Sequence, residues 1–344
     1  MGRIGIYGRA RDSYIDFSVD TNPFALELWK NFVVSHLDIT NYPPLYPYGA
    51  ESILSNVLGI PCNSLCLIPD SIFGIYLTLI YFKPKRVVVP FPTFKEYLRI
   101  PELFGIPVKK YYLEEEEKFY FCLGSLPSVM EEHDLLIVPN PNNPTGSYLD
   151  REKVKALVRM ARYGNFYVVF DEAFIDFAEP VNYDDDLIGS DKALFLRSFT
   201  KIFSIPGIRL GVFIGNSAVL EVIRKLVPIW SITNIALSAL DLIVKNWFLV
   251  DTWRVLIEGE RVQLMNNLMS LGFKVFPSRA NYVFAKAPFS SVLLAERLIQ
   301  YNIVIKTYEE FEGYENFFRV SVKSPDENML LIKSIKRVME HEGL

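Results

Sequence analysis

Leu196–Gly211 reads LRSFTKIFSIPGIRLG. Lys201 stands between a polar and an apolar run, with Ser198 three residues before it and Arg209 eight after it. A lysine used covalently must shed its proton, which a neighbouring cation or partial desolvation favours. A phosphate beside it needs hydroxyl and guanidinium donors, and Ser198 and Arg209 are of those types. Taken alone, the stretch also fits a surface lysine with an unrelated arginine. Its surroundings decide.

On either side lie β-rich runs, Ala193–Leu196 (ALFL) and Leu210–Ile214 (LGVFI). Upstream come Arg86–Val89, Leu135–Val138 and Tyr167–Phe170, each short and apolar along its whole length. Such runs suit a parallel sheet covered by helices on both faces. Glu96–Phe104, Arg151–Tyr163 and Val219–Lys225 read as the intervening helices, with Asp150 as the N-cap of the second. The alternation predicts an α/β fold of βαβ units. After Leu237 the helical patterns lengthen (Leu237–Leu256, Glu258–Leu271). Short strands at Lys274–Phe276, Tyr282–Ala285 and Phe317–Val322 follow, then a helix from Asp326. This divides the chain into a large domain, 39–240, and a smaller α+β domain, 241–344. Residues 1–38 form an arm or join the smaller domain. No repeat of 20–50 residues is present, which excludes solenoids and propellers.

The 344 residues are 50% hydrophobic and 22% charged, which excludes a disordered chain. Acidic residues exceed basic ones, 40 against 36, which argues against coating a nucleic acid. Three histidines leave little for a metal site, and three cysteines without a C-x-x-C pair suit a reducing compartment. The first residues carry no apolar core run of the secretory kind. Pro69 and Asp70 interrupt the apolar stretch Ser64–Phe82, and Ser71–Phe82 is too short for a bilayer of ~30 Å. A cytoplasmic protein with no membrane, metal or nucleic-acid partner is expected.

Two further motifs precede Lys201. Pro139–Gly146 reads PNPNNPTG, turn chemistry at the end of a strand where open α/β sheets bind ligands. Tyr167–Phe177 reads YVVFDEAFIDF, placing Asp171 at the end of an apolar strand. A carboxylate there is costly without a cationic partner. Alone it would read as an N-cap. With Lys201 downstream, it reads as the partner of a protonated ring nitrogen.

NPTG, DEAF and S-x-x-K-x7-R, in this order, are specific as a set although each is weak singly. From about Asp16 to Asn328 the chain resembles the fold-type-I pyridoxal-phosphate enzymes of aminotransferase class I/II. Within these it is most similar to the histidinol-phosphate aminotransferase and threonine-phosphate decarboxylase group. The resemblance implies a mostly parallel seven-stranded sheet between helices, a smaller α+β domain, pyridoxal 5'-phosphate as cofactor, and a homodimer with shared active sites. It implies that Lys201 condenses with the cofactor aldehyde and later moves the proton, and that Asp171 pairs with the pyridinium nitrogen. Asn143 is implied to donate to the 3-oxygen, Phe94 to stack on the ring, and Ser198 and Arg209 to bind the phosphate. Asp70 and Ser71 fall in the phosphate cup, and Tyr46 matches the tyrosine that reaches the neighbouring subunit's phosphate. On the substrate side, Arg319 matches the clamp for the α-carboxylate, Asn22 a contact from the N-terminal segment, and Lys306 the residue for a second anionic group. Tyr7-Gly8-Arg9 is a further candidate for an anionic tail.

Three positions depart from the pattern. The cup reads Ile68-Pro69-Asp70-Ser71 instead of being rich in small residues, and Asp70 would repel a phosphate if it faced one. Phe174 replaces the tyrosine that many relatives have after D-E-A. Lys306 stands for the family's arginine and lacks its fork. The expected reaction is transfer of an amino group from an amino acid or histidinol phosphate to 2-oxoglutarate. The alternative is decarboxylation of threonine phosphate on the same scaffold, and a more remote one is a non-catalytic binding protein with a vestigial site.

Overall fold

The structure, a computed structural model, describes residues 14–30, 32 and 38–342. It divides into a larger unit, 21–258 with 277–280, and a smaller one, 1–20 with 259–276 and 281–344. This division differs from the expected breaks after residues 38 and 240. It cuts the long helix Leu249–Ser270 at Glu258. The first half of that helix is held in the larger unit, where Trp253 packs edge-on against Phe203 and Arg254 Nε donates to the Asp176 carbonyl at 2.9 Å.

The larger unit is built on seven strands: β1 (Leu65–Ile68), β2 (Val87–Phe91), β3 (Val108–Tyr112), β4 (Leu135–Pro139), β5 (Tyr167–Asp171), β6 (Ala193–Ser198) and β7 (Gly211–Gly215). Their order across the sheet is β1-β7-β6-β5-β4-β2-β3. Only β7 runs against its neighbours. Five strands were expected outright and lie within two residues of their expected ends. β3 was not expected: VKKYY carries polar side chains and is only partly buried at the sheet edge.

Helix α1 (Ser71–Phe82) is apolar around most of its circumference because it lies in the core against β6 and β7. Gly74 passes so close beneath Leu196 that a Cβ would stand 2.4 Å from its Cδ2. Helix α2 (Glu96–Leu103) follows β2, and helix α3 (Arg151–Tyr163) follows β4 with Asp150 accepting the Lys153 N–H as N-cap. The two late helices break at Asn246 rather than after Leu256. The Asn246 side chain donates back to the Leu242 carbonyl, and Trp247 turns in against Phe199 and Phe203.

The smaller unit holds a four-stranded antiparallel sheet of Lys306–Thr307, Phe317–Ser321, Tyr282–Lys286 and Lys274–Val275, in that order. The helix Pro325–Glu342 follows it in the chain. Ile15–Asp16 pairs in parallel with Ile303–Val304, tying the start of the described chain into this unit. Among the described residues no helix is long and apolar enough to cross a membrane, and no cluster could hold a metal.

Candidate active site

Strand register sets the site. Ile68 pairs with Gly211, Gly211 with Ser198, Leu196 with Asp171, and Asp171 with Pro139. The carboxyl ends of the parallel strands therefore share one edge, the place where open α/β sheets bind ligands. Loops 69–70, 92–95, 140–150, 172–174 and 199–210 leave or enter the sheet there.

Asp171 is buried, and both its oxygens are held by neutral donors. Tyr97 O–H donates to Oδ2 at 2.8 Å, and the Ala173 N–H to Oδ1 at 3.0 Å. Burial pushes its pKa up to about 6, while the Tyr97 and Ala173 hydrogen bonds and the Lys201 charge pull the other way. The two hydrogen bonds that hold the carboxylate come from neutral donors. Tyr97 and Phe94 meet edge to face at 5.6 Å, linked by the Tyr97 N–H to the Phe94 carbonyl. Lys201 is half-buried, and its Nζ stands 6.0 Å from the ring centroid of the buried Phe174.

Ser198 and Thr200 are buried, and their hydroxyls share a hydrogen bond at 2.8 Å. Asp70 does not face the cup as an unmatched charge. Its Oδ1 caps α1 by accepting the Phe73 N–H at 2.7 Å, and its Oδ2 accepts from Arg209 Nη2 at 2.9 Å. Arg209 itself has φ 58°, a left-handed backbone that non-glycine residues rarely adopt. Gly211 permits the close approach: a Cβ there would meet the Asp70 backbone at 3.3 Å and the Arg197 carbonyl at 2.9 Å.

The PNPNNPTG loop is braced by its own side chains. Asn140 exchanges two hydrogen bonds with the Leu149 backbone, and Asn142 Nδ2 donates to the Pro92 carbonyl and to Thr145. Gly146 has φ 74° and lies against Ser278, where a Cβ would be 2.2 Å from Oγ. Asn143 is half-buried between these anchors. Behind the site, buried Glu172 binds Arg151 and Tyr183, and buried Asp176 binds Arg197. Thr93 Oγ1 is buried with no hydrogen-bond partner among the described residues.

Asn22 differs from expectation. It was expected to meet substrate, yet it is fully buried with both ends of its amide engaged. Nδ2 donates to the Ile202 carbonyl at 2.8 Å and Oδ1 accepts from Phe24 N–H, while its backbone N–H donates to the Lys201 carbonyl. It braces the Lys201 turn. Tyr46 is 40% exposed.

In the smaller unit, Arg319 is buried and faces Tyr282, with Nη2 donating to Asp20 Oδ2 at 2.8 Å and to the Ser18 carbonyl at 2.9 Å. Lys306, opposite Arg319 in the sheet, pairs with Glu310 at 3.0 Å. Tyr7-Gly8-Arg9 lies outside the described residues. Thr200 and Asp20 were not singled out from the sequence, and Tyr97 stood there only as the tyrosine of the P-T-[aromatic]-x-x-Tyr segment Pro92–Tyr97, without a role.

A buried carboxylate held by neutral donors, a half-buried lysine, paired hydroxyls and an arginine at one sheet edge suit an anionic, protonated heterocycle. The aminotransferase class I and II profile matches residues 66–335, and the chain belongs to that family. It is therefore a pyridoxal-phosphate-dependent enzyme. It is 26% identical to a threonine-phosphate decarboxylase of Salmonella typhimurium over 343 residues, 97% of this chain and 93% of that one. It is 27% identical to a histidinol-phosphate aminotransferase of Methanococcus maripaludis over 278 residues, 79% of this chain and 74% of that one. In fold it matches the crystal structure of the histidinol-phosphate aminotransferase of Clostridium acetobutylicum with a TM-score of 0.85 and 24% identity, covering 95% of this chain and 99% of that one.

Proposed function

We propose that the chain is an aminotransferase that moves an amino group from an amino acid or histidinol phosphate to 2-oxoglutarate. The observation that carries this reading is Asp171: a buried carboxylate at the carboxyl end of β5, held by the Tyr97 O–H and the Ala173 N–H at the sheet edge from which the Lys201 loop leaves. Bound pyridoxal phosphate supplies an electron sink for the electrons of a bond broken at the substrate carbon that bears the amine. The residues do the rest. Asp171 holds a proton on the ring nitrogen, which keeps that sink effective. Phe94 would cover the ring face, and Asn143 would donate to the 3-oxygen. Ser71 at the start of α1, Ser198, Thr200 and Arg209 hold the phosphate, with the α1 N-terminus adding backbone N–H donors. Lys201 Nζ would be the amine that anchors the cofactor aldehyde and the base that would carry the proton at the substrate carbon. Phe174 keeps an apolar wall beside it. Arg319 is the residue for a substrate carboxylate.

Reduction of the cofactor-loaded protein with borohydride, followed by peptide mapping, tests the core of this reading: the label belongs on Lys201. Label elsewhere, or none, sinks it and favours a vestigial binding site. Decarboxylation of threonine phosphate is the second reading, favoured by the long match to the Salmonella enzyme. Incubation with histidinol phosphate plus 2-oxoglutarate and with threonine phosphate separates the two, because glutamate marks the first and CO2 the second. Exposed Tyr42, Leu45, Tyr46 and Tyr48 support a homodimer in which Tyr46 reaches the neighbouring phosphate. The composition and the three cysteines support a cytoplasmic location.

A further inference from the structure

Asp20 occupies the guanidinium of Arg319. Its side chain is 7% exposed, that of Arg319 is 6% exposed, and the two meet at 2.8 Å. Asp20 Oδ1 also accepts from Ser321 Oγ at 2.5 Å, so both oxygens are engaged. The segment that carries Asp20 is tied down. Phe17 is fully buried, donates its N–H to the Val304 carbonyl at 2.8 Å, and accepts from the Ser321 N–H at 2.8 Å. Ser18 N–H and Oγ both donate to Asp16 Oδ1, and Lys323 Nζ donates to the Val19 carbonyl at 3.0 Å. The arrangement is a guanidinium already neutralised by a fixed internal anion.

We propose that Asp20 is a specificity-determining residue, a resident carboxylate that competes with carboxylate ligands for Arg319. An incoming carboxylate must exchange for Asp20, like for like, and gains almost nothing from the exchange. An amine donor without an α-carboxylate needs no exchange and is favoured. This rests on the reading above only in assigning Arg319 to a substrate carboxylate. Removing the Asp20 charge takes from the buried guanidinium the carboxylate that meets it at 2.8 Å, which is unfavourable until another anion takes that place. An external carboxylate then stabilises the fold by mass action.

The test uses succinate as probe and the full-length, cofactor-loaded protein at constant ionic strength. Calorimetric titration gives its dissociation constant, and thermal unfolding gives the change in Tm, both without turnover. Asp20→Asn, which keeps a group able to bond Ser321, should bind succinate at least tenfold more tightly than the wild type. Its Tm should rise with succinate where the wild type's does not. The double variant Asp20→Asn with Arg319→Gln should lose that gain. Equal or weaker binding in Asp20→Asn, or a gain that survives Arg319→Gln, overturns the proposal. Should Asp20→Asn be recovered only when succinate is present, the proposal is supported. Should neither it nor Asp20→Ser be recovered with succinate, it is overturned. A Lys201 that fails to take the borohydride label would sink the aminotransferase reading and leave this binding result standing.

Discussion

Two buried carboxylates, one in each unit, are satisfied in opposite ways. Asp171 in the larger unit is held by a phenol and a backbone N–H, neither of which cancels its charge. Asp20 in the smaller unit is held by a guanidinium that does. Burial of a charge is costly in both places, so the difference lies in what remains for a ligand. Asp171 retains a charge ready for a protonated ring. Asp20 and Arg319 have already settled theirs.

The most severe break in this contrast is Lys201→Ala. It removes the covalent anchor and the proton carrier, and activity should fall by at least about 10⁴, equivalent to about 5.4 kcal/mol. Cofactor absorbance should lose its lysine-linked band. Next is Asp20→Ala, which takes from the buried Arg319 the carboxylate it meets at 2.8 Å. It should destabilise the protein by about 3–5 kcal/mol in urea unfolding at low ionic strength. Asp171→Asn should act in the opposite direction on the cofactor-free protein. Burial raises the Asp171 pKa from the ordinary 3.8 to about 6 in the fold, so its favourable contribution is present below about pH 4 and lost as pH rises through 6. The amide escapes that loss, and the variant should be more stable by roughly 1–3 kcal/mol at pH 8, with the gain gone below pH 4. Its activity should nonetheless drop by about 10² or more, since the ring nitrogen loses its anionic partner. Equal stability at pH 8 would show that the charge at 171 is better compensated than these contacts imply.

Tyr97→Phe sharpens the comparison more gently. Without the Tyr97 hydrogen bond, Asp171 should hold its proton to higher pH, moving the acid limb of the rate profile upward by about one unit. A limb that stays in place would separate Tyr97 from Asp171. Phe174→Tyr is the smallest change. A phenol restored near Lys201 should lower the pH at which the lysine-linked absorbance titrates, with activity altered only by about a few-fold.

Legibility of the molecule in its sequence tracked where the residues interact. β4, β5 and β6 announced themselves because buried parallel strands are apolar throughout, and Asp171 stood out as a charge at the end of such a run. β3 did not, since an edge strand exposes alternate side chains. Tyr97 was visible only as a motif tyrosine, because its role depends on a partner 74 positions away. Asp20 and Arg319 lie at opposite ends of the chain, and nothing local in either sequence shows that one neutralises the other. Asp70 was legible as an acid near a phosphate cup, but its pairing with Arg209 needs the β1-β7 register.

The reversed direction of β7 has a consequence for the chemistry. A parallel neighbour would have needed a crossover returning the chain to the far rim, separating Ser198 from Arg209. Because β7 starts where β6 stops, residues 199–210 turn back on themselves, and three chemically distinct groups share a single hairpin-like excursion. Insertion or deletion within it would shift the amine, the hydroxyl and the guanidinium together, so this bend should tolerate changes of length least of any in the sheet.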